Sequence, residues 1–336
     1  MQLHSADRLL LVFVHGFRGS DTSFKDFPSR LKAIAPYSNV HTIVYPRYKT
    51  AGDFNLATEN LLTWLKEQIK KQQEDMGARG ETGDVLIVLL GHSMGGLVSA
   101  EVILRVYTSP DDNVLQGGHI LGLVGFDSPF YSVNHRFVSS TALSHVETVN
   151  RHVSNFWSSA TTRQTSTMAS NRLSLTWPEK QKPSLSSFSQ WGGLLAGAVG
   201  VAAVGAAAYL AKDHIAASVT NVFDHLEFVS TLLDFNGCYE RVEALSQIKD
   251  LVFKCFYILL PTGDEFSSDQ RTFIARPPLE TAHYFVPVMS RTENEIEAHM
   301  NMFDPVKNED YYVMGQDTMT LVSEMISRHN RRSSQR

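Results

Sequence analysis

The clearest candidate for a catalytic side chain in this sequence is a serine with a glycine two residues away on each side. The segment GHSMG, residues 91–95, follows the apolar run Val85–Leu90 and opens a stretch with helical character, Leu97–Tyr107. A serine on a tight turn from a strand into a helix is held in a strained conformation that displays its hydroxyl, and the glycines remove Cβ atoms that would clash. The turn also puts the N–H of Met94 at a helix N-terminus, where it can bind a developing oxyanion. We therefore predict that Ser93 is a nucleophile.

The elements that must hold this turn alternate along the first part of the chain. Apolar runs predict strands, and apolar residues on one helical side predict helices. The strands are expected at 9–14, 40–45, 85–90 and 120–126, and the helices at 23–35 and 53–71. This alternation predicts a doubly wound sheet of parallel strands, with the active site at their carboxyl ends. Regular structure is expected again at 251–260, 271–275 and 284–289, with a last helix near 318–328.

Five motifs spread over most of the chain resemble those of the α/β-hydrolase lipases and esterases, and in particular a fungal group of lipase-like serine esterases. They are FVHGF at 13–17, GHSMGG at 91–96, GFDSPF at 125–130, RTFIARP at 271–277 and EIEAHMNMF at 295–303. The first two are shared by the whole superfamily, and the last three are more particular. The resemblance implies an α/β-hydrolase fold, with a mostly parallel sheet of about six strands and a cap or lid insertion. It also implies an oxyanion hole formed by the N–H groups of Phe17 and Met94.

The same resemblance implies a catalytic triad in the chain order serine, acid, histidine, so the base must follow the last strands. Three histidines, His283, His299 and His329, satisfy that condition. His283 precedes an apolar run, and His329 lies in a charged tail. His299 begins a turn at the point where the similar esterases have their catalytic histidine, and we favour it as the base.

Two aspartates remain open as the acid of the triad. Asp264 follows the strand at 251–260 in a turn, which is the commonest position for the acid in this superfamily. Asp127 ends the preceding strand within GFDSP, a position that some lipases use, and there the local sequence is closer to that of the similar esterases.

The middle of the chain interrupts the alternation and is expected to form the cap. We assign 1–127 and 247–336 to the α/β-hydrolase core and 128–246 to the insertion. Within the insertion, 153–190 is rich in Ser and Thr and predicts a flexible loop, while 191–211 is an uncharged Gly/Ala-rich run that predicts an apolar helix. A single membrane span there would separate Ser93 from His299. The run is therefore expected to pack in the cap, to form a re-entrant hairpin or to contact a membrane surface.

Composition narrows the class of protein. With 336 residues, 43% of them hydrophobic, and a net charge of −5, the chain can form a large core and has no overall basicity that would suggest nucleic acid binding. Cys238 and Cys255 are expected to be free thiols, because a domain of this size needs no disulfide. No signal peptide is recognised before the first strand, so we expect an intracellular protein, either cytoplasmic or peripheral on an internal membrane.

Together these residues predict a serine hydrolase that cleaves a carboxylic ester with a lipid-like or hydrophobic acyl group through an acyl-enzyme. No metal and no organic cofactor is expected, and the expected partner is a small-molecule or lipid ester. The same triad is compatible with a thioesterase or an acyltransferase. A catalytically silent hydrolase fold that binds a ligand or tethers to a membrane is the alternative from another class.

Overall fold

A parallel sheet of six strands runs through the part of the chain that the structure describes. The computed structural model describes residues 7–16, 19–48, 54–111, 113–134, 235–261 and 271–334. The strands are β1 (Arg8–Val14), β2 (Val40–Val44), β3 (Val85–His92), β4 (Gly118–Phe126), β5 (Val252–Leu259) and β6 (Phe285–Met289). Their order across the sheet is β2-β1-β3-β4-β5-β6, and every neighbouring pair is parallel. The predicted α/β class with a mostly parallel sheet of about six strands is confirmed.

Strands β1 and β3 are buried along their whole lengths. Their sequences are almost unbroken apolar runs, which are typical of parallel strands covered on both faces. Alternate residues of β1 face opposite sides, since Leu10 and Val12 belong to one core cluster while Leu11 and Phe13 belong to the other. The sheet therefore has a packed layer on each face.

Helices form these two layers. They are α1 (Phe27–Ile34), α2 (Phe54–Ala78), α3 (Met94–Thr108), α4 (Phe235–Gln247), α5 (Glu295–Met300) and α6 (Tyr311–Ser333). Buried side chains of α2, α3 and α4 share one core cluster, and those of α1 and α6 share the other. This is the doubly wound arrangement, and it brings the carboxyl ends of β1, β3 and β4 to one edge of the sheet.

Helix α2 is longer than the sequence pattern predicts, because its polar last part is also helical. The prediction ends it at Lys71, whereas the helix continues to Ala78. Met76 is buried and extends its apolar side, while i,i+4 ion pairs such as Lys70–Glu74 support its exposed side.

Other boundaries differ in the same modest way. Helix α1 begins at Phe27 after a series of turns, and α6 runs beyond the predicted 318–328 at both ends. The segment 271–275, where regular structure was expected, makes only isolated bridges through Arg271 and Ile274.

Most of the expected cap, including the runs at 153–190 and 191–211, lies outside the described residues, so its boundaries stay a prediction. The helix that follows, α4, packs against α3 and contributes Val242 and Leu245 to the core. Cys238 and Cys255 are not joined by a disulfide. Among the described helices, none is at once long enough and apolar enough to cross a bilayer.

Candidate active site

Ser93 occupies the turn between β3 and α3 with a backbone conformation that residues other than glycine rarely adopt. Its φ is +54° and its ψ is −128°, and α3 begins at the next residue. The Ser93 N–H donates to the carbonyl of Phe126 at 2.9 Å, which ties the turn to the end of β4. A non-glycine residue at such a φ is strained, and strain of this kind concentrates at functional sites. The local geometry is that of a nucleophile elbow.

Two glycines allow the chain to pack this closely around Ser93. A Cβ on Gly95 would collide with the carbonyl of Val14, at the end of β1. A Cβ on Gly16 would lie 2.6 Å from the Cβ of Ser93 and 3.0 Å from its hydroxyl oxygen. The turn after β1 therefore directly borders the candidate nucleophile.

Of the two predicted oxyanion donors, Met94 and Phe17, only Met94 lies within the described residues. Met94 is the first residue of α3, and the first N–H groups of a helix have no acceptor within the helix. They also lie at the positive end of the helix dipole, which favours a developing anion. Phe17 lies outside the described residues, although its neighbour Gly16 borders Ser93 as described above.

His299 is joined to Asp127 in the interior of the protein. Its Nδ1 lies 2.7 Å from Oδ2 of Asp127, which follows the last residue of β4. The second oxygen, Oδ1, accepts the N–H of Ile258 at 3.1 Å, and Asp127 is fully buried. Because a carboxylate only accepts hydrogen bonds, Nδ1 carries the proton and Nε2 of the neutral ring is left as the basic nitrogen. Of the two aspartates left open by the sequence, Asp264 lies outside the described residues, and Asp127 is the one that contacts His299.

Helix α5 carries His299 and is anchored at its start. Asn294 caps the helix by accepting the N–H of Glu297 at 2.9 Å. In the first turn, Glu295 forms a bidentate ion pair with Arg271, with distances of 2.9 and 3.3 Å. These contacts set where the short helix begins and hence where His299 lies, at 5% exposure.

His92, the residue before the candidate nucleophile, contacts His299 in two ways. Its Nε2–H donates to the backbone carbonyl of His299 at 3.1 Å, and the two rings stack with centroids 4.7 Å apart. Burial lowers the pKa of His92 well below its usual value, and the neighbouring His299 lowers it further. His92 therefore stays neutral and links the end of β3 to α5.

Phe273 also stacks on His299, with ring centroids 3.9 Å apart. The sequence predicts no role for Phe273, and the signal that could have indicated one is its place within the RTFIARP motif at 271–277.

The other two histidines weighed as the base lie elsewhere. His283 is in a short helical turn before β6, and His329 contacts His119 near the amino end of β4, the opposite end of that strand from Asp127. His15 is fully buried after β1, where burial lowers its pKa and its ring stacks on Tyr48. Among the described residues, no group of three or more His, Cys, Asp or Glu is arranged to hold a metal ion.

The sheet order, the strained serine that follows β3 and the buried histidine–aspartate pair joined to the end of β3 through His92 define an α/β-hydrolase fold and the class of serine hydrolases. The model of the family described as "Putative serine esterase (DUF676)" matches residues 4–189, which is more than half of the chain. The protein belongs to this family. The matched range contains Ser93 and Asp127, and His299 lies beyond it.

The solved structures that this chain matches are distant in sequence, and their TM-scores are low. Peroxisomal Lpx1 of Saccharomyces cerevisiae is 14% identical over 95% of this chain and 78% of its own, with a TM-score of 0.37. A carboxylesterase of the thaumarchaeon Nitrososphaera gargenis is 12% identical over 93% of both chains, with a TM-score of 0.36. Phospholipase PlaB of Legionella pneumophila is 14% identical over 37% of this chain, with a TM-score of 0.29, and the chain spans only 26% of that enzyme. No curated protein matches the sequence.

Proposed function

We propose that the protein hydrolyses carboxylic esters through an acyl-enzyme formed on Ser93. The observation that carries the proposal is the 2.7 Å hydrogen bond between His299 and the fully buried Asp127. The serine, held at a φ of +54°, directly follows His92, whose ring stacks on His299. A serine is a weak nucleophile unless a base takes its proton, and the base is effective only when a carboxylate orients it.

In the first half of the reaction, Ser93 Oγ attacks the ester carbonyl while its proton passes to Nε2 of His299. The negative charge on the carbonyl oxygen is held by the N–H of Met94, with the N–H of Phe17 as the second proposed donor. Asp127 stabilises the imidazolium without taking its proton. The C–O bond to the alcohol then breaks, and His299 returns the proton to the leaving alcohol.

In the second half, a water molecule replaces the alcohol. His299 takes a proton from the water, the hydroxyl group attacks the acyl carbon, and the bond to Ser93 breaks as the serine regains its proton. The products are the carboxylic acid and free enzyme. Besides the ester and this water molecule, each step uses side chains or backbone groups of this chain.

We propose an ester with a hydrophobic acyl group as the substrate class. Support comes from the apolar surroundings of the histidine pair, since Phe273 stacks on His299 while Phe24 and Phe303 pack edge-on against His92. A thioester substrate, or transfer of the acyl group to an alcohol, would use the same groups. Product analysis with thioester substrates and with added alcohols separates these reactions from hydrolysis.

Labelling with a fluorescent fluorophosphonate tests the proposal directly, because this probe reacts with an activated serine. We expect the wild-type protein to be labelled and Ser93→Ala to remain unlabelled. Ser246→Ala is the matched control, since Ser246 lies exposed on α4 and its hydroxyl donates only to the backbone of its own helix. An unlabelled wild-type protein would favour the catalytically silent binding module. Labelling of Ser93→Ala would show that the reactive nucleophile is another residue.

A further inference from the structure

We propose that Phe273 is a positioning residue for His299 and that its ring stabilises the imidazolium which His299 becomes during turnover. The inference rests on the proposed function. The two ring centroids lie 3.9 Å apart and the planes are inclined by 23°, so the rings are in face-to-face contact. The hydrogen bond to Asp127 fixes the direction of Nδ1, and the Phe273 face restricts how far the imidazole can tilt about that bond.

Phe273 is well placed for this role because its segment is fastened on two sides. On one side Arg271 forms its bidentate pair with Glu295 and also donates to the carbonyl of Glu293 at 2.8 Å. On the other side the N–H of Asn134 donates to the carbonyl of Phe273 at 2.8 Å. The segment therefore spans from α5, which carries His299, to the stretch of chain that follows Asp127.

The charged groups around His299 show which contacts could stabilise its imidazolium besides the Phe273 ring. Asp127 approaches from the end of β4, and neutral His92 approaches from the end of β3. Two further carboxylates on α5 are paired with cations. Glu295 is bound by Arg271, and Glu297 lies 3.1 Å from Nζ of Lys307. Among the described residues, Asp127 is thus the carboxylate in direct contact with the imidazole, and Phe273 covers part of its face.

Stacking of this kind acts differently on the two charge states of histidine. The face of a phenyl ring carries partial negative charge and attracts a cation, whereas a neutral imidazole gains only dispersion and apolar contact. His299 is neutral before Ser93 attacks and positively charged when the proton has moved. The contact is therefore stronger near the transition state than in the ground state, which is the condition for an interaction to raise kcat.

Substitution by leucine separates this role from simple space filling, because leucine keeps the site apolar but has no ring face. For Phe273→Leu we expect kcat on a short soluble ester to fall about fivefold, and the acid limb of the kcat/KM profile to move to lower pH by about half a unit or more. The direction follows because a less stabilised imidazolium forms only at lower pH. Phe273→Tyr, which restores an aromatic face, should recover both kcat and the profile.

Tyr284→Leu is the matched control. Tyr284 is a partly buried aromatic residue whose ring also lies 3.9 Å from a histidine. That histidine is His283, and both residues lie in the short helical turn before β6 rather than beside His299. It should change neither kcat nor the pH profile. A Phe273→Leu enzyme with an unchanged pH profile, or a Phe273→Tyr enzyme impaired as much as Phe273→Leu, would overturn the proposal.

The effect of Phe273 on the His299 imidazolium can also be measured without turnover, and therefore independently of the hydrolase function. In the folded protein with 13C-labelled histidines, the His299 ring signal is assigned by its loss in His299→Gln. Its titration is then followed by NMR in the wild type, Phe273→Leu and Phe273→Tyr. A midpoint that moves to lower pH only in Phe273→Leu supports the role of the ring, and identical midpoints in all three proteins refute it. Failure of the wild type to react with the fluorophosphonate probe would refute the hydrolase function and leave this result unaffected.

Discussion

The ring of His92 is bonded to the backbone of His299, 207 residues further along the chain, through an Nε2–H that donates to the carbonyl at 3.1 Å. His92 immediately precedes Ser93 in the chain. This hydrogen bond therefore ties the residue next to the candidate nucleophile to the backbone of the candidate base. The stacked rings, 4.7 Å apart, support the same link through side chains. The short helix α5 is therefore positioned by the nucleophile elbow as well as by Asp127.

The contact between Asp127 and His299 leads to an asymmetric prediction for the two aspartates. Asp127→Asn keeps the shape of the side chain but removes the charge that orients and stabilises the base, so we expect kcat to fall about 10³- to 10⁴-fold. Asp264→Asn should stay close to wild type. Rates on a soluble chromogenic ester, with circular dichroism to verify folding, measure both. A large loss in Asp264→Asn alone would assign the acid to Asp264 instead.

The close approach of Gly16 to Ser93 predicts that one added methyl group removes activity. In Gly16→Ala the new Cβ would lie 2.6 Å from the Cβ of Ser93, so the turn after β1 or the serine must shift. Oxyanion donors and nucleophile are then misaligned, and we expect kcat to fall by about 10²-fold or more in a protein that still folds.

Gly77→Ala is the matched control for that substitution. A Cβ at Gly77 would meet no atom within 4 Å, and the residue lies within α2. Alanine there should leave the rate unchanged and raise the free energy of unfolding by about 0.5 to 1 kcal/mol. Equal activity in Gly16→Ala and Gly77→Ala would show that the turn after β1 takes no part in the reaction.

The strand pattern and the nucleophile could be predicted because their signals are local. An apolar run that ends in GHSMG specifies both a buried strand and the turn that follows it, so β3 and the position of Ser93 need no knowledge of the rest of the fold. Likewise, Leu9–Val14 predicts a buried strand, and the structure has β1 there.

The contacts of the base and the acid depend on long-range packing, which a single sequence does not contain. Asp127 and Asp264 both follow strands, and only the arrangement of β4 beside β5 brings Asp127 to His299, 172 residues away. The stack of Phe273 on His299 was missed for a similar reason. Its segment makes isolated bridges and no regular strand, so no periodicity indicates which side chain faces the site.

The burial of His92 predicts that the protein loses stability in mild acid. Its folded-state pKa lies well below the ordinary 6.5, so the unfolded chain binds the proton first as the pH falls. Above pH 6.5 His92 is neutral in both the folded and the unfolded chain, so it adds no pH dependence to the free energy of unfolding. As the pH drops below that value towards the folded-state pKa, the free energy of unfolding decreases. The loss from one such group is at most about 1.4 kcal/mol for each pH unit. Buried His15 and partly buried His329, whose pKa values are also lowered by desolvation, act in the same direction.

His92→Gln tests this by removing the titrating ring while keeping an N–H donor for the carbonyl of His299. Urea unfolding at pH 7 and pH 5 should show a decrease in the free energy of unfolding for the wild type and a smaller decrease for His92→Gln. At pH 7 the variant should be less stable by about 1 to 3 kcal/mol, because the ring contacts with His299 are lost. His283→Gln, at an exposed histidine, should keep the wild-type pH dependence. If His92→Gln and the wild type lost the same free energy between pH 7 and pH 5, protonation of His92 would play no part in acid unfolding, and its link to His299 would be structural at every pH.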